Sequence, residues 1–195
     1  TSKAVKSNVN KILQTQVEYL KTRFNSTKFL FPKLPVIPLG IHTEEFSYSD
    51  EQKRTARASL EISDETLVVL FMGRLSFHAK AHPLAMYQAL QKACTITRKK
   101  VVLIECGWHA NEAIAKAYTQ AAELACPNVE IVHLDGREVS NTKLAWASAD
   151  IFCSLSDNIQ ETFGISPIEA MAAGLPCVVS DWDGYRDTVR DGVDG

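Results

Sequence analysis

The chain has 195 residues, enough for one well-cored domain with an appendage. Hydrophobic residues make up 46% and charged residues 23%, the balance of an ordinary globular protein. A formal net charge of −2 gives no electrostatic ground for nucleic acid or an anionic membrane as partner, and no apolar run approaches the roughly 20 residues that span a bilayer.

In chain order, "AVKSNVNKILQTQVEYL" spaces its apolar residues as a helix does. "FPKLPVIPLG" then packs three prolines and a glycine into ten residues, so it reads as an extended connector ending near Gly40. A short polar helix is expected over about 50–60. From there the pattern is regular: strand "TLVVLFMG", helix 83–96, strand "VVLIECG", helix 111–125, strand "VEIVHL", helix 140–147, strand "DIFCSL", helix 167–173 and strand "PCVVS". Strict alternation with short connections predicts an α/β fold, a Rossmann-like parallel sheet with helices on both faces. Its ligands should sit beyond the carboxyl ends of the strands, in the loops after Gly73, Leu134 and Leu155.

Cys94, Cys106, Cys126, Cys153 and Cys177 are odd in number and show no C-x-x-C pair. They read as buried free thiols in a reducing, cytoplasmic compartment; neither they nor the five histidines have metal-ligand spacing. The start at Thr1 and the turn-like end "RDGVDG" both read as cuts in a longer chain.

Two strand-end loops carry candidate chemistry. In "MGRLSFHAKAHP", Arg74 follows the strand end at Gly73 and Lys80 lies six residues on, two cations suited to a diphosphate. In "ETFGISPIEAMAAG", Ser166 and Glu169 are spaced as a capping box with Pro167 at the first helical position, so Glu169 could serve only the cap. That helix start also makes an anion site of the N–H groups around Gly164, Ile165 and Ser166. Glu161, ahead of the glycine, has no capping duty. Two carboxylates flanking an anion site suit a ligand with hydroxyls on both sides of its phosphates, as a nucleotide sugar has.

"ETFGISPIEAMAAGLPCVVS" resembles the E-x7-E donor motif of GT-B glycosyltransferases of family 4 (group 1), "FMGRL…K" their phosphate-binding strand end, and "IPLGIHTEEF" their interdomain connector. The resemblance covers Val36 to the C-terminus. It implies that residues 1–40 are the tail of an N-terminal acceptor domain with its connector, and that 41–195 are a donor-binding domain incomplete at its C-terminus. It further implies a retaining hexosyltransferase using a UDP-, GDP- or ADP-sugar, without metal or other cofactor, and an acceptor held mainly by the absent half. Arg74 and Lys80, behind Gly73, would hold the diphosphate with the N–H groups of Gly164 and Ile165, beside Phe163. Glu161 would meet the transferred sugar, Glu169 the ribose, and Arg137 to Val139 the base; Glu161, Arg74 and Lys80 are the expected catalytic set. The full-length enzyme would be cytoplasmic or peripheral to the inner membrane face, and the isolated piece inactive. A nucleotide-sugar 2-epimerase of the same fold, or a non-catalytic nucleotide-sugar-binding module, are the alternatives. Asp181-Trp182-Asp183 matches D-x-D but, after the last strand, reads as a surface turn.

Overall fold

The structure, a computed structural model, describes residues 2–159 and 161–195. Among the described residues, five parallel strands form one sheet in the order β3-β2-β1-β4-β5: β1 Leu67–Met72, β2 Val101–Gly107, β3 Glu130–Asp135, β4 Ile151–Ser154 and β5 Cys177–Val179. The helices are α1 Lys3–Phe24, α2 Asp50–Ser59, α3 Leu84–Thr97, α4 Glu112–Ala125, α5 Val139–Ser148, α6 Ile165–Ala172 and α7 Tyr185–Thr188. This is the Rossmann-like α/β architecture expected from the alternating pattern. Strand order changes direction at β1, between β2 and β4, so the loops after β1 and β4 flank the crevice where such sheets bind ligands.

Both faces of the sheet are covered, which is why the strands read as unbroken apolar runs. Every residue of β2 is buried. Val68, Leu70, Val102 and Ile104 point to one core with Trp146 of α5 and Ala170 of α6. Their neighbours Val69, Phe71, Val101 and Leu103 point to the other, against Tyr87 of α3 and Tyr118 of α4. Glu105 belongs by parity to this second face, inside an otherwise apolar strand.

The polar helix α2 is fastened to the sheet by charge. Arg57, 3% exposed, donates to the carbonyls of Ser148, Asp64 and Thr66 and to Asp150 Oδ2 at 2.6 Å. Asp150 also accepts from Lys53 and from the Val68 N–H, and these donors hold its carboxyl below the usual range despite its burial. In α1 the apolar spacing makes a face that none of the described residues covers: no residue of the helix is buried, and Ile12, Tyr19 and Phe24 stand in solvent. Only its start is anchored among the described residues, where the buried Ser2 hydroxyl donates to the Thr162 carbonyl and the Lys3 N–H reaches Asp187. No described helix is long and apolar enough to cross a membrane.

Candidate functional site

At the carboxyl ends of β1, β2 and β3 the strand-end loops pack backbone against backbone. The Gly73 N–H donates to the Cys106 carbonyl, and the Gly136 N–H to Gly107, each at 3.0 Å. A Cβ on Gly107 would overlap the Gly73 carbonyl oxygen, so only glycine permits this approach. The loop after β1 is thereby held beside β2, and its continuation brings Lys80 across toward β4.

There Lys80 meets the loop after β4. Lys80 Nζ lies 3.1 Å from Glu161 Oε2, and the buried Ser156 hydroxyl stands 3.4 Å from both that oxygen and the Lys80 carbonyl. Glu161 is largely covered and Lys80 partly so, so water screens this pair less than one on the open surface. The pair opens on a cavity of about 90 Å³ lined also by Gly73, Gly164, Ile165 and Tyr185. Five expected site residues thus come together in one place.

Helix α6 supplies one wall, and it starts earlier than the spacing predicts. Gly164 is the N-cap, at φ 75°, and Ile165 the first helical residue, which puts Ser166 second and Pro167 third. The expected capping box is therefore absent. Proline is tolerated in a first turn because its missing N–H would be unpaired there anyway, so it did not mark the first position. Ser166 has helical backbone and does not cap; no side chain of the described residues caps this helix. Among the described residues the N–H groups of Gly164, Ile165 and Ser166 have no acceptor, and they face the cavity with the positive end of the helix dipole. The Glu169 carboxylate, freed of the cap, makes no hydrogen bond among the described residues, and burial pushes it up.

The turn after β5 braces this loop. The Trp182 indole N–H donates to the Asn158 carbonyl at 3.0 Å, the Gly184 N–H to Glu161 O at 3.0 Å, and the Ser180 hydroxyl to Ser156 O. The buried Tyr185 ring lies against Gly164, where any Cβ would overlap it, and its hydroxyl bonds Ser154 Oγ at 2.8 Å. Asp181 is exposed and paired with Arg186 at 2.7 Å, as a surface turn would have it. Burial, then the nearby Glu161, raise the Asp183 carboxyl. Among the described residues no three His, Cys, Asp or Glu side chains are grouped to hold a metal.

Other expected site residues stand apart. Arg74 is exposed and makes no hydrogen bond or ion pair with the described residues. Arg137 forks onto Asp135, at 2.9 and 2.7 Å, and lines a second chamber of about 430 Å³ at the ends of β2 and β3. The Arg137 side chain and backbone N–H draw the Asp135 carboxyl down to about 2. Val139 is exposed at the start of α5 and Phe163 is buried; neither lines either cavity.

Glu105, His109 and His133, on the wall of the second chamber, were not singled out by sequence. The signal existed in Glu105, a lone acid inside "VVLIECG". Its Oε1 accepts from the Tyr87 hydroxyl at 2.6 Å, and burial pushes its carboxyl up to about 7. All five cysteines are free, and Cys106, Cys126, Cys153 and Cys177 are buried.

The family model described as glycosyl transferases group 1 matches residues 52–195. The chain belongs to the group 1 glycosyltransferases. It is 29% identical over 165 residues to an uncharacterized glycosyltransferase of Methanocaldococcus jannaschii, covering 84% of this chain and 40% of that protein. It is 30% identical over 168 residues to the D-inositol 3-phosphate glycosyltransferase of Geodermatophilus obscurus, covering 82% of this chain and 35% of the relative. This group 1 chain therefore spans about two fifths or less of these relatives' length. The crystal structure of Anabaena HepE in complex with UDP-glucose shares the fold, with a TM-score of 0.62 and 21% identity over 80% of this chain and 41% of that one.

Proposed function

We propose that this chain carries the donor-binding half of a retaining GT-B glycosyltransferase of family 4, which moves a hexose from a nucleoside-diphosphate sugar to an acceptor hydroxyl. The observation that carries this reading is the Lys80–Glu161 pair at the mouth of a cavity walled by Gly164, Ile165 and Ser166 at the start of α6, whose N–H groups have no acceptor among the described residues. The D-inositol 3-phosphate glycosyltransferase relative and the UDP-glucose complex of HepE support a nucleotide-sugar donor.

In the transfer, the bond from the sugar C1 to the diphosphate oxygen breaks and a bond from C1 to the acceptor oxygen forms on the same face. The acceptor proton passes to the departing diphosphate. Lys80, with Arg74 swinging in from solvent, and the amides of Gly164 and Ile165 stabilise the negative charge that gathers on that leaving group. Preorganised cations and amides of this kind make a metal unnecessary in the donor site. Glu161, released from Lys80 by the incoming phosphate, accepts from sugar hydroxyls. Glu169, half-buried and unpaired, has a carboxylate to offer the ribose. Phe163 stiffens the loop from beneath, and the Arg137–Val139 turn borders the base. Residues 1–40 are the tail of an acceptor-binding domain and its connector, with the donor domain from 41. The acceptor then binds largely outside this piece, which holds a donor without transferring its sugar, and the full enzyme works in the cytoplasm or at the inner membrane face.

Calorimetric titration with UDP, GDP and ADP tests the reading, beside an Arg74→Ala, Lys80→Ala double variant. Binding of at least one diphosphate that weakens roughly tenfold or more in the variant supports it. Absence of binding by all three sinks it. Turnover of a nucleotide sugar to its epimer with no acceptor present would instead identify a 2-epimerase.

A further inference from the structure

Among the described residues, the second chamber, at the carboxyl ends of β2 and β3, holds two buried polar atoms without hydrogen bonds. Glu105 is 0% exposed, and its Oε2 has no hydrogen-bond partner among the described residues; His133 Nδ1 stands 3.2 Å away without making the bond. His109 Nε2, on the same wall, is also buried and unpaired. Buried polar atoms in a native fold are nearly always satisfied, so two exceptions lining one chamber point to a ligand that satisfies both. At about 430 Å³ the chamber has the size of small-molecule sites, and Trp108, His109 and His133 give it flat aromatic walls.

The donor set narrows the ligand further. An ionised carboxylate only accepts hydrogen bonds. Guanine offers it two neighbouring donors, N1–H and N2–H, while its O6 accepts from His109 in the Nε2–H tautomer. Uracil has one N–H between two carbonyls, whose lone pairs would face the carboxylate. Adenine places the acceptor N1 beside its amino group. We propose that this chamber receives the base of the donor nucleotide and that Glu105, seconded by His109, selects guanine. Tyr87 holds Glu105 from behind through Oε1, leaving Oε2 as the reading atom. The inference rests on the donor-site reading above.

The test is calorimetric titration of the chain with GDP, UDP and ADP at pH 8, above the value of about 7 to which burial raises Glu105. Wild type is compared with Glu105→Gln, His109→Phe and Lys80→Ala. GDP should bind roughly tenfold tighter than UDP or ADP, and Glu105→Gln should remove most of that advantage while leaving UDP and ADP within about twofold. His109→Phe, which keeps an aromatic wall and removes the donor, should weaken GDP selectively, and it decides the matter if the Gln variant does not fold. Lys80→Ala should weaken all three alike. A preference for UDP or ADP, or a GDP preference that survives both chamber variants, overturns guanine selection; the donor site stands in that case if Lys80→Ala still weakens the diphosphate that binds. Absence of binding by all three overturns both.

Discussion

Replacing Glu105 by Gln should make the protein more stable at alkaline pH than at acid pH, relative to wild type. The carboxyl is wholly buried on the α3/α4 face of the sheet, and burial raises it from an ordinary 4.5 to about 7. The Tyr87 hydrogen bond opposes that rise without cancelling it. Burial and His109 hold His133, whose Nδ1 lies 3.2 Å from Oε2, below its ordinary value, which disfavours the imidazolium that would offset the charge. Below pH 4.5 both folded and unfolded chains carry the proton, and burial of the acid costs nothing extra through ionisation. Between 4.5 and 7 the unfolded chain releases it while the fold retains it, so stability falls as pH rises. Above 7 the loss levels off at about 3 kcal/mol, from 1.36 kcal/mol for each tenfold change in proton affinity. Gln has the same shape, still accepts from Tyr87 and carries no charge. Urea unfolding at pH 5, 6, 7 and 8 reads the difference. The gap between variant and wild type should widen by about 2–3 kcal/mol from pH 5 to pH 8, a midpoint difference on the order of 1 M urea. The lowered His109 and His133 destabilise both proteins alike toward acid pH and cancel in the comparison. Parallel pH profiles would falsify the claim that an uncompensated acid lies beneath the second chamber.

Other consequences are open to direct measurement. Gly164→Ala puts a methyl into the Tyr185 ring at φ 75°, so urea unfolding should show a loss of about 2 kcal/mol or more; an unchanged midpoint would mean the loop has room to retreat. Asp150→Ala leaves the Arg57 guanidinium buried without its anion and should cost about 3 kcal/mol at pH 7. Because Asp150 is held below the usual carboxylate range, the stability it contributes is present at neutral pH and lost as pH falls. The gap to wild type should therefore shrink toward pH 3 in the same assay, and a constant gap would refute the ion-pair account.

The alternation of strands and helices, and hence the parallel sheet, was legible along the chain because each strand is buried on both faces and each helix repeats its own period. The placement of Lys80 and Glu161 at strand ends followed from that order alone. Their meeting, 81 residues apart in sequence, depended on the crossing of β4 beside β1, which the expected fold class implied but did not measure. The start of α6 lies two residues before the position that its serine and proline suggest, because those residues signal a helix start without saying which turn position they occupy, whereas the left-handed Gly164 and the Tyr185 ring packed on it decide the point. The "DWDGYRD" turn became a brace only once the fold set Trp182 against Asn158 and Gly184 against Glu161. The unpaired oxygen of Glu105 lay furthest from view. A lone acid in an apolar strand hints at something, but whether it is neutralised, bonded or left waiting depends on α3, α4 and β3, whose residues adjoin it only in the folded chain. Local periodicity is written in neighbours; the partners of a buried charge are set by packing across the sheet.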